Sequence, residues 1–413
     1  MLPTCTGNEA SLWEPDLAAA ARAVSFGPGS PATPTVERIV LADFRSYGSL
    51  DLAVSGRLVV LTGENGAGKT NLLEALSLFS PGRGLRRADG RELARTGGAG
   101  GWAASVALRA GPDEPPRQLG TGVDPPSGDG TAPARRCRID RAPVGSASRF
   151  AEHLRVVWLT PSMDGLFAGP AGERRRFLDR VVLTLDPDHS TRVSALERAL
   201  RNRNRLLEDG RSGRLDRTWL DAAEREVAGL GVAVAAARAD VVVRLSALTE
   251  AGRQDASPFP WAAVALEGPV EDLLLTRPAL DVEERYRAML RDSRARDGAA
   301  GRTTVGPHLS DVAVRHGPKD VPAERCSTGE QKALVVGLVL AQARLAAAAS
   351  GIAPLMLLDE VAAHFDPRRR AALLGTLAEL GGQVFMTGAD PAAFADAPQA
   401  ERFLVEPGRV TPV

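Results

Sequence analysis

The sequence predicts an α/β fold, with mixed sheets flanked by helices, built around a phosphate-binding loop and interrupted by an inserted α-helical lobe. Three stretches carry that prediction. Gly63-Glu64-Asn65-Gly66-Ala67-Gly68-Lys69-Thr70 lies between the short apolar run Arg57–Thr62 and the helix-forming Asn71–Leu76. Pro354–Leu358 is an apolar run that ends in Asp359 and Glu360. Between the two, from about Gly172 to residue 300, the pattern changes to long helices.

Strand, glycine loop and helix is the setting a P-loop requires. Glycines let the backbone wrap an anion with its N–H groups turned inward, and the helix N-terminus adds roughly half a positive charge. Lys69 is placed to reach the β- and γ-phosphates of ATP, and the Thr70 hydroxyl to ligate Mg2+. Glycine is common here, so the lysine is the more telling residue. Of 51 basic side chains only Lys69, Lys319 and Lys332 are lysine, and one of them stands where the motif needs a flexible point charge.

Composition bounds the rest. The 51 basic and 51 acidic residues balance, so any nucleic-acid site must be a local patch rather than a global attraction. Cys5, Cys137 and Cys326 are odd in number and far apart, and the five histidines are scattered, so neither a disulfide framework nor a zinc pattern is suggested. No uninterrupted apolar run approaches the ~20 residues of a membrane span. The N-terminus lacks a signal-peptide layout. A cytoplasmic protein without a membrane partner is expected.

Taken in order, residues 1–35 read as a flexible extension with a short helix over Leu17–Val24. Residues 36–171 form the first part of the nucleotide-binding head. VERIVLADF and LDLAV are strands expected to share a small sheet with the P-loop strand. Pro81–Gly101 is a loop, the Pro/Gly/Asp tract at 110–134 a long hairpin loop, and LRVVWL (154–159) a buried strand. Residues 172–300 form the helical lobe. Within it Trp219, Ala223, Val227, Leu230, Val234, Ala237, Val241, Leu245 and Leu248 recur every three or four positions, a single packing stripe on a helix of some thirty residues. Residues 259–266 read as a strand, Val282–Arg294 as a helix and Gly298–Gly301 as a hinge-like linker. Residues 301–413 return to the head.

The acidic strand completes the site. A buried strand that delivers carboxylates to its C-terminal end is where an open α/β sheet places ligand chemistry. Asp359 would hold Mg2+, and Glu360 would act as general base toward the attacking water. Upstream, Cys326-Ser327-Thr328-Gly329-Glu330-Gln331-Lys332 opens a nearly all-apolar helix, a second anion-binding helix start. One triphosphate rarely needs two such sites, so this one is expected to serve the nucleotide of a second subunit. An ordinary capped helix is the other reading of the same residues.

Together the P-loop, the Ser-x-Gly-x-Gln element, the strand ending Asp-Glu and Asp366 resemble the ATP-binding-cassette ATPases. Asp43-Phe44-Arg45-Ser46-Tyr47 is similar to the N-terminal Phe-Arg signature of the branch related to structural-maintenance-of-chromosomes proteins. So are the helical insert and a P-loop-to-serine distance longer than a transporter cassette carries. Gly169-Pro170-Ala171-Gly172-Glu173-Arg174-Arg175-Arg176-Phe177-Leu178-Asp179, Arg201–Leu207 and Thr304-Val305-Gly306-Pro307-His308 resemble segments of the RecF family of recombination-repair ATPases.

That resemblance covers residues 36–413. It implies a weak, DNA-stimulated ATPase whose two copies sandwich ATP as a homodimer, acting on gapped duplex DNA with RecR and RecO to load RecA. The nucleotide contacts would be Gly63–Asn71, Arg45, Ser327, Gly329, Gln331 and Asp366. Leu309 after Gly-Pro-His, Ala363-His364-Phe365 before Asp366, and Phe385-Met386-Thr387-Gly388 without a switch histidine depart from the family or cassette patterns. The arginine-rich stretches 83–95, 135–141, 174–180 and 198–205 are the candidates for DNA phosphate. The alternatives are an ATP-dependent nuclease or defence protein on the same head, and a transporter cassette.

Overall fold

The computed structural model describes residues 31–111, 113–126, 134–211, 216–251, 258–361, 365–395, 397 and 399–413. The expected extension over 1–30, residues 127–133 of the Pro/Gly/Asp tract, and Ala363 and His364 lie outside the described residues.

In chain order, β1 (Thr35–Phe44) and β2 (Tyr47–Ala53) form a hairpin, and β3 (Leu58–Thr62) leads through the glycine loop into α1 (Lys69–Ser77). Then come β4 (Trp102–Arg109), β5 (Arg117–Val123), β6 (Arg136–Ile139), β7 (Ala142–Val144) and β8 (Val156–Leu159). A helical stretch follows: α2 (Ala171–Leu185), α3 (His189–Arg211) and α4 (Arg217–Ala251), then β9 (Ala262–Glu267), α5 (Pro269–Leu274), α6 (Ala279–Asp292) and α7 (Arg294–Ala300). After β10 (Asp311–His316) and β11 (Val321–Pro322) the chain runs through α8 (Thr328–Ser350), β12 (Leu355–Leu358), α9 (Pro367–Leu380), β13 (Val384–Gly388), β14 (Glu401–Glu406) and β15 (Arg409–Pro412).

The described residues divide into two compact units, one of 31–164, 258–259 and 335–413, the other of 165–251 and 260–334. The first holds two six-stranded sheets, in the orders β2-β1-β4-β5-β6-β7 and β15-β14-β3-β13-β12-β8. The P-loop strand is thus not in the sheet of the preceding hairpin, as the sequence had suggested. β1 pairs antiparallel with β2 and β4, whereas β3 pairs parallel with β13 and β14. The chain changes sheet at Ser55-Gly56, whose N–H groups both donate to the Glu401 carboxylate. The 110–134 tract likewise contains a strand, β5, whose Leu119, Thr121 and Val123 point inward. A period-two signal this short is hidden by the surrounding glycine and proline. The core joins Ile39, Leu41 and Val106 of the antiparallel sheet, Leu72 and Leu76 of α1, and Leu61, Leu357 and Phe385 of the parallel one.

The second unit packs α3, α4 and α6 around Val227, Val234, Val282, Tyr286 and Leu290, and adds the three-stranded sheet β11-β10-β9. The antiparallel pairing of β10 with β9 keeps 301–334 with the helices, so the units change over at 164/165 and 334/335 rather than at 171/172 and 300/301. Two local expectations are corrected here. The segment 298–301 is no hinge, because α7 runs through Ala300 and buries Asp297 completely, and Gly301 only closes the helix at φ 65°. Trp219, expected on the packing stripe, is 67% exposed, whereas Ala223, Val227, Val234, Val241 and Leu245 are buried. The stripe therefore begins one residue later, with Leu220 taking the inward position. By length and hydropathy α8 could cross a membrane, but 72% of its most apolar window is buried inside the protein, as in a core helix.

Candidate nucleotide site

The parallel sheet brings two distant motifs to one edge. β13 lies between β3 and β12, with Leu61 opposite Thr387 and Leu358 opposite Met386, so the P-loop and the acidic strand end leave the same side of the sheet. The Thr70 hydroxyl lies 2.9 and 3.1 Å from the two Asp359 carboxylate oxygens. The buried Thr387 hydroxyl donates to Asp359 Oδ1 at 2.8 Å and accepts from the Glu360 N–H at 2.9 Å. Glu360 holds a left-handed backbone, φ 53°, which is uncommon for a residue with a side chain and frequent where function constrains the chain. Burial pushes the Asp359 carboxyl above its ordinary value, and nearby Glu360 adds to this. Hydrogen bonds from Thr387 and Thr70 and the charge of Arg86 oppose it.

Each P-loop glycine has its own reason to be glycine. A Cβ on Gly63 would lie 2.2 Å from the Val405 carbonyl oxygen, and one on Gly68 would meet Ser46 and Tyr47 within 3 Å. Gly66 faces open space at φ 86°, and Glu64 and Asn65 beside it are exposed. Only these three sit at the mouth of the loop, whereas Ala67 and Lys69 are buried. Lys69 Nζ donates to the carbonyls of Gly63 and Glu64 at 2.6 and 2.8 Å, holding the loop around its own cation.

Side chains behind the loop brace α1. Glu74, 1% exposed, takes a fork–fork pair from Arg45 at 2.9 Å and a further contact from Arg86 at 3.1 Å. Arg86 also donates to Asn71 Oδ1, and Asn71 Nδ2 donates to Ser46. Tyr47, buried, donates to the Gly68 carbonyl. Arg45 and Asn71, both expected at the nucleotide, are thus engaged in fixing the P-loop helix, Arg45 also reaching the Glu92 carbonyl. Neither Glu74 nor Arg86 was legible in the sequence, where a glutamate inside a helix and an arginine in a loop carry no distinguishing pattern.

The remaining expected residues lie elsewhere. Ser327 caps α8 in a reciprocal capping box: its N–H and hydroxyl donate to Glu330 Oε2 at 2.9 and 2.8 Å, and the Glu330 N–H returns at 3.4 Å. Gly329 is the second residue of this helix and is not a left-handed turn. Gln331 donates to the carbonyls of Cys326 and Glu324, fixing the entry into the helix. Ser327, Gly329 and Gln331 belong to the unit that lacks the P-loop. Asp366 caps α9, accepting from the Arg369 N–H at 2.9 Å.

Several arginines of the basic stretches already have partners within the protein. Arg174 forks onto Asp311 and Arg203 is fully buried. Arg95 pairs with Asp43, and Arg135 donates to the Leu78 and Gly82 carbonyls.

These oxygens fit a hard divalent cation. Among the described residues no group of three His, Cys, Asp or Glu side chains could hold a metal by itself. A Mg2+ here would draw on Thr70, Asp359 and the phosphate oxygens, as such ions usually do.

Fold and site together define a P-loop nucleotide-binding head of the ATP-binding-cassette ATPase class, joined to a second, largely helical unit. The AAA domain family model matches residues 38–97, which cover the Phe-Arg hairpin, the P-loop and the turns after it. The DNA replication and repair protein RecF of Rhizobium etli CIAT 652 is 50% identical over 381 residues, 92% of this chain and 99% of that protein. RecF of Mesorhizobium japonicum is 52% identical over 383 residues, again 92% and 99% of the two chains. This chain belongs to the RecF family of DNA replication and repair proteins. A solved structure described as the recombination mediator protein RecF bound to ATP in the RecFOR pathway shares its fold, with TM-score 0.81 and 20% identity over 94% of this chain and all of that one. Family membership sets aside the transporter-cassette reading.

Proposed function

We propose that the protein is an ATP-hydrolysing clamp that closes on duplex DNA when two copies sandwich ATP. The observation that carries the reading is the Thr70–Asp359 contact, which joins a P-loop hydroxyl to the acid at the end of the neighbouring strand but one. In this reading the loop N–H groups and the open face at Gly66 receive the β- and γ-phosphates. Lys69 exchanges the carbonyls of Gly63 and Glu64 for phosphate oxygens. Thr70 and Asp359 would hold Mg2+, whose charge would offset that of the developing anion. Glu360 orients a water and accepts its proton as the water oxygen bonds to the γ-phosphorus and the bond to the β,γ-bridging oxygen breaks.

Ser327 and Gly329 of a second copy would complete the cage. The capped start of α8 presents backbone N–H groups, and ATP contacts made only in the dimer would give the nucleotide its differential affinity for the closed state. Membership of the RecF family supports DNA as the macromolecular ligand, gapped duplex as its form, and RecR and RecO as partners in loading RecA. No base-reading element is required, because affinity from phosphate contacts alone suffices and falls steeply with salt.

The test is ATP turnover per molecule against protein concentration, with and without gapped duplex DNA. Turnover that rises with both supports the composite site. A flat rate indifferent to DNA would reduce Ser327 to a helix cap and remove the clamp. In parallel, Lys69→Ala is expected to lose ATP binding, and Glu360→Gln to bind ATP and accumulate as a dimer.

A further inference from the structure

We propose that Thr387 is a positioning residue for hydrolysis, setting the orientation of both acidic side chains at the end of β12. The inference rests on the roles given above to Asp359 and Glu360. Thr387 is completely buried on β13, between the P-loop strand and the acidic strand. Its hydroxyl has one proton, and that proton goes to Asp359 Oδ1 at 2.8 Å. The Thr387 hydroxyl oxygen itself accepts from the Glu360 N–H at 2.9 Å.

That N–H is the second beyond the strand, past the last inter-strand bond, which runs from the Asp359 N–H to the Leu159 carbonyl. It belongs to the residue held at φ 53°, a conformation that persists only when its surroundings enforce it. One hydroxyl therefore fixes two things. It holds Asp359 Oδ1, while both Asp359 oxygens remain within reach of Thr70. It also pins the Asp359–Glu360 peptide, and with it the backbone from which the Glu360 side chain leaves. Without it the peptide can rotate toward an ordinary backbone and carry the Glu360 carboxylate away from the attacking water. A misplacement of about 1 Å at such a group can cost on the order of 100-fold in rate.

The experiment compares Thr387→Val, which keeps the shape and deletes the hydroxyl, with Thr387→Ser, which keeps the hydroxyl. Glu360→Gln serves as the reference. ATP affinity, turnover number and ATP-dependent dimer mass by sedimentation are measured for each. Thr387→Val is expected to bind ATP close to wild type and to accumulate as the ATP-bound dimer, as Glu360→Gln does. Its turnover number should fall by roughly 10- to 100-fold, and Thr387→Ser should recover most of that rate.

Wild-type turnover in Thr387→Val, with Glu360→Gln inactive, would overturn the inference and leave the base assignment standing. Loss of rate in Thr387→Ser with ATP affinity intact would also overturn it, because the hydroxyl alone would then not be sufficient. Unaltered turnover in Glu360→Gln would overturn the base assignment and the inference together.

Discussion

Replacing Arg203 by methionine separates an arginine that builds the protein from one that touches DNA. Arg203 lies in the stretch 198–205, whose basic character marked it as a candidate phosphate contact, yet its side chain is completely buried. It donates to Glu224 at 3.2 Å, to Asp297 and Thr303 at 2.8 Å, and to the Leu290 carbonyl at 2.7 Å. Methionine retains much of the aliphatic volume but leaves two buried carboxylates short of a cation. Breaking such a pair costs about 3–5 kcal/mol. The loss here should sit near the lower end. Glu224 keeps Arg294, and Asp297 keeps Ser293 and Thr304. At about 2–4 °C per kcal/mol for a unit of this size, a loss of about 3 kcal/mol lowers the melting temperature by roughly 6–12 °C. The assay is thermal unfolding followed by far-ultraviolet circular dichroism, paired with DNA affinity over a salt series below the melting range. The slope of affinity against salt should not change, because the guanidinium has no path to a phosphate, whereas a lost phosphate contact reduces it by about 1. A melting shift under 2 °C, or a smaller salt slope, would refute the reasoning.

Gly63→Ala should abolish ATP binding in a calorimetric titration, since its Cβ has no room beside the Val405 carbonyl. Gly66→Ala, open but at φ 86°, should only weaken it, with strain of about 1–2 kcal/mol. Ser327→Ala should cost about 1 kcal/mol of stability through loss of the cap, read as a shift in urea midpoint. The Glu330 carboxyl is held down at about 2 by Lys319 and by the Ser327 N–H and hydroxyl. Because its value is depressed, that stabilisation is present above the ordinary glutamate value of 4.5 and is lost as pH falls toward about 2. Acid unfolding of Lys319→Ala should therefore differ from wild type at neutral pH and converge with it at the acid end. Asp359 carries the opposite sign. Burial raises its value, so the native state takes up a proton more readily than the unfolded chain, and Mg2+-dependent ATP binding should weaken on acidification above the usual aspartate range. Thr70→Val should move that loss to still higher pH.

The residues whose placement is fixed by local spacing were legible from the sequence. The P-loop between strand and helix, the acidic strand end and the helix start at Ser327 are each built from consecutive residues whose positions follow from strand, loop and helix patterns. The inserted helices were legible too, because a stripe at three- and four-residue spacing must face a core. What tertiary structure alone decided is pairing across long separations. Nothing local says that β3 joins β13 rather than the neighbouring hairpin, or that Thr387 stands beside Asp359. Nor could spacing reveal that Arg45 spends its charge on Glu74, or that Arg203 lies inside the protein while Trp219 lies outside. An arginine beside other arginines looks the same in sequence whether it meets water, a phosphate or a buried carboxylate. Which of these it meets depends on the segments folded against it, and those are brought there by the whole chain.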